Sequence, residues 1–566
     1  MLTYTSTHSR RSRFDWAGVF TAFPAALVAF LCCVMPLLWM LGAMLLNPEV
    51  RSELKLTDFR LQLLERTLGY NGLAAIIATV MGLPAAFVLG RGRGWLARLL
   101  WVLLPAALLM PSLSYAYGWS QFVRITNSFI REFSNAHFGQ QHEWRLPLMP
   151  GGWFDTFRCI WSLAAWLWAV PAGLIGLALR RMDTNIQQQA ILDGVLYRIT
   201  FRQLLGPIIA SLAVVTVLAT QEFAVYEPTG ISVVATEVRM VFDTGAMSSP
   251  DNSITATGLM GGGKMSSPDQ PGRAAASVAA TLPLLVCTTA LAILAVWGAG
   301  RTSAIDSLTV GPWPKALDAP WWMMAITCLL VALNVGTPTL ALVESLHIPF
   351  SIPRMWDEFG PKVQGSIFIA CLATMVCLIS AFSSAGRWTP GLMVVGSASF
   401  LIGGQLLAIA LIRICNRRGL EWAYGAFPLP VMAYVGRFGW LALAGGRSTW
   451  AQSWKELRDM ASIDGAGAFR TAFSVVWPLS WPTLAAGALL VGALSLTEVP
   501  ATVLLSPAQP QVLTPQLMTW VHMARFDSMI EASLLMMMTV LFPALAAVLL
   551  TGIGLRMSAI RGKKPA

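Results

Sequence analysis

Three stretches of this sequence place chemically capable residues at telling intervals. Gly258-Leu259-Met260-Gly261-Gly262-Gly263-Lys264 has the glycine–lysine spacing of a loop that cradles phosphates with backbone N–H groups. The next residue is Met265, where such a loop needs a Ser or Thr hydroxyl for magnesium, and no strand-like run precedes it. The stretch therefore reads as part of a Gly/Ser/Pro connector over 245–273. The other two are Gln188-Gln189-Ala190-Ile191-Leu192-Asp193-Gly194 and Asp459-Met460-Ala461-Ser462-Ile463-Asp464-Gly465. Each ends in Asp-Gly, a turn signal because glycine reaches positive φ without a Cβ clash. Each then runs on to a proline, Pro207 and Pro478. Ala190 and Ala461, Asp193 and Asp464, Gly194 and Gly465, and Pro207 and Pro478 are all 271 positions apart. Four matches at one offset mark an internal repeat. Each loop reads as a short amphipathic helix, a tight turn and a second helical stretch, with the proline opening the next long helix. The expected product is a bent knob with a small alanine and a glycine at its tip, shaped to enter a groove on a partner protein.

Other candidate chemistry is sparse. The eight cysteines form no CxxC pair, and Cys32, Cys33, Cys287, Cys328, Cys371 and Cys377 lie within apolar runs, so they read as core-filling residues. The five histidines show no ligand-like spacing, so no metal site, cofactor or catalytic constellation is expected. Asn334 and Gln405 are polar groups within apolar runs and suit interhelical hydrogen bonds. Glu227 and Glu498, again 271 apart, fall where an apolar run meets its outer end, a position suited to contact with a cationic solute or a docking protein.

The elements that must position these groups are membrane helices. Of the 566 residues, 56% are hydrophobic and 12% charged, about half the charge of a soluble domain. The net charge of +11 is spread over short loops between apolar runs, which fits cytoplasmic retention and not a nucleic-acid surface. Runs long enough to span a bilayer occur near 17–46, 67–89, 95–123, 159–179, 207–226, 274–299, 320–343, 364–382, 389–412, 422–444, 479–497 and 530–555. Arg10, Arg11 and Arg13 precede the first run, and Arg556, Arg561, Lys563 and Lys564 follow the last, which puts both termini on the cytoplasmic side. The Gly258–Lys264 stretch then faces outward, away from ATP, and Arg417 and Arg418 also fall outside, against the charge rule. The expected fold is an all-α polytopic membrane protein of about twelve transmembrane helices in two tandem six-helix repeats. The first repeat covers 1–310 with its cytoplasmic loop at 180–207, and the second covers 311–566 with its loop at 446–478. An even number of spans per repeat gives the two the same orientation.

The two loops resemble the Glu-Ala-Ala…Gly loop of binding-protein-dependent ABC importer permeases. Gln188 and Asp459 stand where that family has Glu, Gln189 and Met460 replace its first Ala, and Ala190 and Ala461 keep its second. The stretch Glu498-Val499-Pro500-Ala501-Thr502-Val503-Leu504-Leu505, followed by Thr514-Pro515-Gln516-Leu517 and Trp520, is similar to a segment of the fused ferric-iron-type permeases. This resemblance implies an inner-membrane channel subunit without enzymatic activity or cofactor of its own. Its partners would be a separate cytoplasmic ATPase dimer, coupled through the two loops, and a periplasmic solute-binding protein, with the lipid bilayer as solvent. Ferric iron is the implied cargo; related permeases carry thiamine, phosphonates or sulfate-like anions. A secondary transporter of 6+6 design is the rival class, and a membrane enzyme ranks third.

Overall fold

The computed structural model describes residues 16–46, 57–92, 94–138, 152–180, 182, 184–244, 271–300, 319–349, 351–384, 389–417, 419–449, 452–523 and 525–561. The Gly258–Lys264 stretch and Arg418 lie outside them. Among the described residues the chain is helical, with a single isolated β-bridge between Ala426 and Gln509. Nine helices are long and apolar enough to cross a membrane. They are α1 (Phe23–Ala43), α2 (Asp58–Arg91), α4 (Trp153–Arg180), α5 (Arg198–Thr220), α6 (Ser277–Trp297), α7 (Trp321–Glu344), α8 (Ile352–Ser383), α11 (Ser480–Thr497) and α12 (Phe526–Ile553). Two further apolar segments, α3 and α9, are helix pairs bent at a break. In α3, Trp95–Leu109 meets Ser112–Asn135 at 94°; in α9, Pro390–Ile402 meets Gly404–Cys415 at 100°. The chain thus has the character of a multi-pass membrane protein, with nine candidate spans among the described residues, or up to eleven if each bent pair is one. The expected run at 422–444 corresponds to a helix, α10 (Pro428–Thr449), that falls short of span-like apolarity among the described residues and carries Arg437 inside it. Large apolar side chains such as Leu45, Val80, Leu329 and Phe542 stand exposed on the outside, a surface that suits lipid and not water.

The two breaks correct the expectation of straight spans at 95–123 and 389–412, and each has a local cause. Pro111 lacks an N–H and pushes Met110 out of the helical region, to ψ 138°. At the other break Gly403 takes φ +87°, which glycine adopts without strain.

The parts of the chain before and after the 301–318 segment use matching contacts. The pairs α2–α4, α2–α5, α4–α5 and α5–α6 recur as α8–α10, α8–α11, α10–α11 and α11–α12. The first helix of each part crosses onto the other. Cys32 and Cys33 of α1 pack with Ile369, Ala373 and Cys377 of α8, while α7 packs on α2 and α3. Both crossing helices contain a π turn, Phe30–Val34 and Ala332–Gly336. Such a turn frees a carbonyl from the helical ladder, and Tyr115 Oη donates to Asn334 O at 2.6 Å. Asn334 thus anchors a helix contact. The close approaches need glycine: a Cβ on Gly118 would lie 2.8 Å from Pro338 O, and one on Gly436 would overlap Cys32 O. The largest apolar cluster draws residues from α2, α3, α4, α8, α11 and α12, so one core runs through the seam between the two parts.

Candidate functional site: paired knobs and an ionic seam

The Asp-Gly turns fold alike. The short helices Thr184–Leu192 and Gln452–Ile463 end immediately before Asp193 and Asp464. Gly194 has φ +68° and Gly465 φ +73°. Val195 N donates to Ala190 O at 3.0 Å, and Ala466 N donates to Ala461 O at 2.9 Å. Asp193 N and Asp464 N donate to Gln189 O and Met460 O at 2.9 and 3.0 Å. A six-to-one hydrogen bond over a left-handed glycine is a Schellman cap, and both loops have one at the same register. Gln188, Gln189, Asp193 and Gly194 are exposed on the first knob, as are Asp459, Met460, Asp464 and Gly465 on the second.

Two sequence expectations about the knobs need correcting. The alanines are not at the tips: Ala190 is 1% exposed and Ala461 9%. Their place is the inner face of the turn, where each carbonyl accepts the capping bond. The tips instead present Leu192, 87% exposed, and Ile463, 83% exposed, which are themselves 271 positions apart. Each tip therefore presents a large apolar side chain beside a carboxylate and a bare glycine, and is not flat. The equal spacing of Leu192 and Ile463 was visible in the sequence, but the helical face that turns outward was not. The second correction concerns Pro207, which lies buried inside a continuous helix, Leu196–Thr220, instead of opening it. Pro478 does sit in the first turn of its helix, Trp477–Thr497, after a π turn at Ala472–Val476.

The opposite ends of α5 and α11 build a second constellation. Glu498 caps the C-terminus of α11 and is 4% exposed. Its carboxylate pairs with the Arg437 guanidinium of α10, itself 3% exposed, and Glu498 Oε1 accepts from Ala501 N at 3.1 Å. Glu222, just past the end of α5 and 4% exposed, lies 4.0 Å from Arg437 Nη2 and accepts from Ser112 Oγ at 2.8 Å. Gln221 uses both ends of its amide: Arg437 Nη2 donates to its Oε1 at 3.4 Å, and its Nε2 donates to Phe400 O at 3.0 Å and Leu401 O at 3.3 Å. Those carbonyls belong to the last turn before the α9 break. Trp166 Nε1 similarly donates to Met110 O at the α3 break. A single arginine therefore gathers a carboxylate from each part of the chain. Each carboxylate faces the first turn after a helix break, Ser112 in α3 and Gly404 in α9, where the free N–H groups of a helix start favour negative charge. A Cβ on Gly404 would overlap the Arg437–Glu498 pair, so any larger residue there must displace those two side chains.

Glu498 thus does not meet the outer surface, and its structural counterpart is Glu222, not Glu227. The 271 register holds through the Asp-Gly turns and prolines but slips before the helix ends, since α11 continues further past Pro478 than α5 does past Pro207. Glu227 lies on a short 3-10 turn, bonded to Arg239 Nη1 at 2.6 Å and 3.6 Å from His522 Nε2 of the C-terminal part. A lone arginine inside an apolar run was the available signal for this network. Gln405, beside the α9 break, is buried with Nε2 unbonded.

Among the described residues no three His, Cys, Asp or Glu converge as a metal ion requires, and all eight cysteines are free. A scan against family models finds no match, and a search of curated proteins finds none.

Proposed function

We propose that this chain is the channel-forming permease of an ATP-driven, binding-protein-dependent importer, with ATP hydrolysis supplied by a separate subunit. The observation that carries this reading is the pair of Schellman-capped knobs presenting Leu192 and Ile463 at one register. Two similarly built surfaces suit a symmetric, two-lobed partner such as an ATPase dimer. The fold supports the placement: α5 and α11 end at the same arginine, so two helices of spanning length emerge with both knobs on one side of the membrane. In this reading α10 is the twelfth span, tolerated in lipid because its buried Arg437 is paired. The chain is then a tandem of two six-span repeats with cytoplasmic termini and knobs in the inner membrane. On the first knob a contact through the consensus glutamate is replaced by an apolar one, since Gln188 carries no charge, while Asp459 keeps a carboxylate on the second.

Ferric iron, handed over by a periplasmic binding protein, is the proposed cargo, on the resemblance around Glu498–Leu505 and Thr514–Trp520. Thiamine, phosphonate or sulfate-like anions are the alternatives within the same mechanism. One feature favours a different class: the buried Glu222–Arg437–Glu498 network is the kind of intramembrane ionisable group that ion-coupled transporters use. The discriminating experiment introduces cysteines at Leu192 and Ile463 and tests cross-linking to ATPase subunits of importers co-expressed with this chain. Cross-links at both positions, altered by ATP, support the importer; none at either position contradicts it.

A further inference from the structure

The seam at the ends of α5 and α11 is built asymmetrically. On one side of Arg437 stands Glu498, in close ionic contact and fixed further by the Ala501 amide. On the other side stand Gln221 and Glu222, at 3.4 and 4.0 Å, both from the N-terminal part of the chain. The tip they form is seated in the α9 break. Gln221 Nε2 donates to the last carbonyls of the first half-helix, and a Cβ on Gly403 would stand only 3.2 Å from Gln221 Cγ. Glu222 keeps a second partner on its own side, the Ser112 hydroxyl. If the two parts separate here, the Gln221 and Glu222 contacts to Arg437 break together. Arg437 and Glu498 then stay paired, and Glu222 keeps Ser112. The guanidinium therefore keeps a counter-ion, and the Glu222 carboxylate, left with the neutral Ser112 hydroxyl, gains water as the seam opens. Glu227, Arg239 and His522 form a separate ionic cluster.

We propose that the Gln221–Glu222 tip is a releasable latch, seated in the break of α9 against the fixed Arg437–Glu498 pair, and that this end of the seam opens by its withdrawal. The inference rests on the importer reading, in which the two repeats rock against each other, but its test needs neither cargo nor ATPase.

The test is hydrogen exchange on the full chain in lipid nanodiscs, followed over 222–230 and 403–407, with thermal unfolding measured in parallel. Glu222→Gln keeps the shape of the tip while removing its charge. It should speed exchange in both segments by about tenfold, the range expected when a charge-assisted bond holding a local opening is lost, with the unfolding midpoint nearly unchanged. Gln221→Leu, which loses the bonds to Phe400 and Leu401, should do the same. Glu498→Gln should instead lower the unfolding midpoint. The proposal is overturned if Glu222→Gln and Gln221→Leu leave exchange unaltered. It is equally overturned if they and Glu498→Gln all lower the midpoint alike, which describes a static brace. Failure of the importer reading looks different: the variants would still speed exchange, but adding the ATPase and a non-hydrolysable nucleotide would not change exchange in the wild-type chain.

Discussion

Leu192 and Ile463 occupy one structural position twice: each is the last helical residue before a Schellman-capped Asp-Gly turn, and each projects almost wholly into the surroundings. An exposed leucine alone would mean little. Two at the same register, on turns with the same cap, are the feature on which the proposed docking of an ATPase rests.

Replacing them tests that surface without touching the fold. Leu192→Glu together with Ile463→Glu removes apolar contact and adds charge, so binding to the ATPase should weaken by at least about tenfold, the loss typical of a central interface contact. Because both side chains are exposed, the melting temperature of the isolated chain should not move. A pull-down titration and a melting curve on the same preparation measure the two effects.

The caps themselves are the next target. Gly194→Ala and Gly465→Ala put a side chain at φ +68° and +73°, with open space around the new Cβ. The cost is therefore conformational, about 1 kcal/mol each, and falls on the knob instead of the core. On the importer reading, stimulation of the proposed ATPase partner by this chain should drop while membrane insertion stays normal. Asn at either position should restore most of the loss, because Asn tolerates the left-handed region.

Gly404 and Gly391 make a matched pair for the ionic seam. A Cβ on Gly404 meets Arg437 and Glu498, whereas one on Gly391 meets nothing within 4 Å. Gly404→Ala should lower the unfolding midpoint or abolish accumulation in the membrane, and Gly391→Ala should leave both unchanged.

Burial also fixes what to expect at Glu498. As a surface residue it would affect docking when changed to lysine. Inside the seam, Glu498→Lys sets a second cation beside Arg437, and disrupting a buried pair in this way costs about 3–5 kcal/mol. The variant should fail at folding and not at partner binding, which detergent-extractable yield and size-exclusion behaviour would reveal.

How much of this was legible in the sequence follows from the range of each interaction. Apolar run length reports a helix wherever its interior lies, so the all-helical membrane character could be read directly. The Asp-Gly turns could be read because cap geometry is local. The bends in α3 and α9 could not, since Met110-Pro111 and Ile402-Gly403 sit within runs whose hydropathy is continuous. Arg437 reaches Gln221 across 216 positions, and no periodicity encodes such a pairing. The assignment of Glu227 opposite Glu498 failed for a related reason: a repeat register measured at the turns was extended to helix ends that had drifted from it.

The energy source separates the importer from its rival most directly. Radiolabelled ferric iron uptake should be measured in cells with and without this chain, treated either with arsenate to deplete ATP or with an ionophore that collapses the proton gradient while ATP is maintained. Chain-dependent uptake that stops with arsenate and survives the ionophore is the predicted result. Chain-dependent uptake that survives arsenate and stops with the ionophore would contradict the account and assign the buried carboxylates to ion coupling.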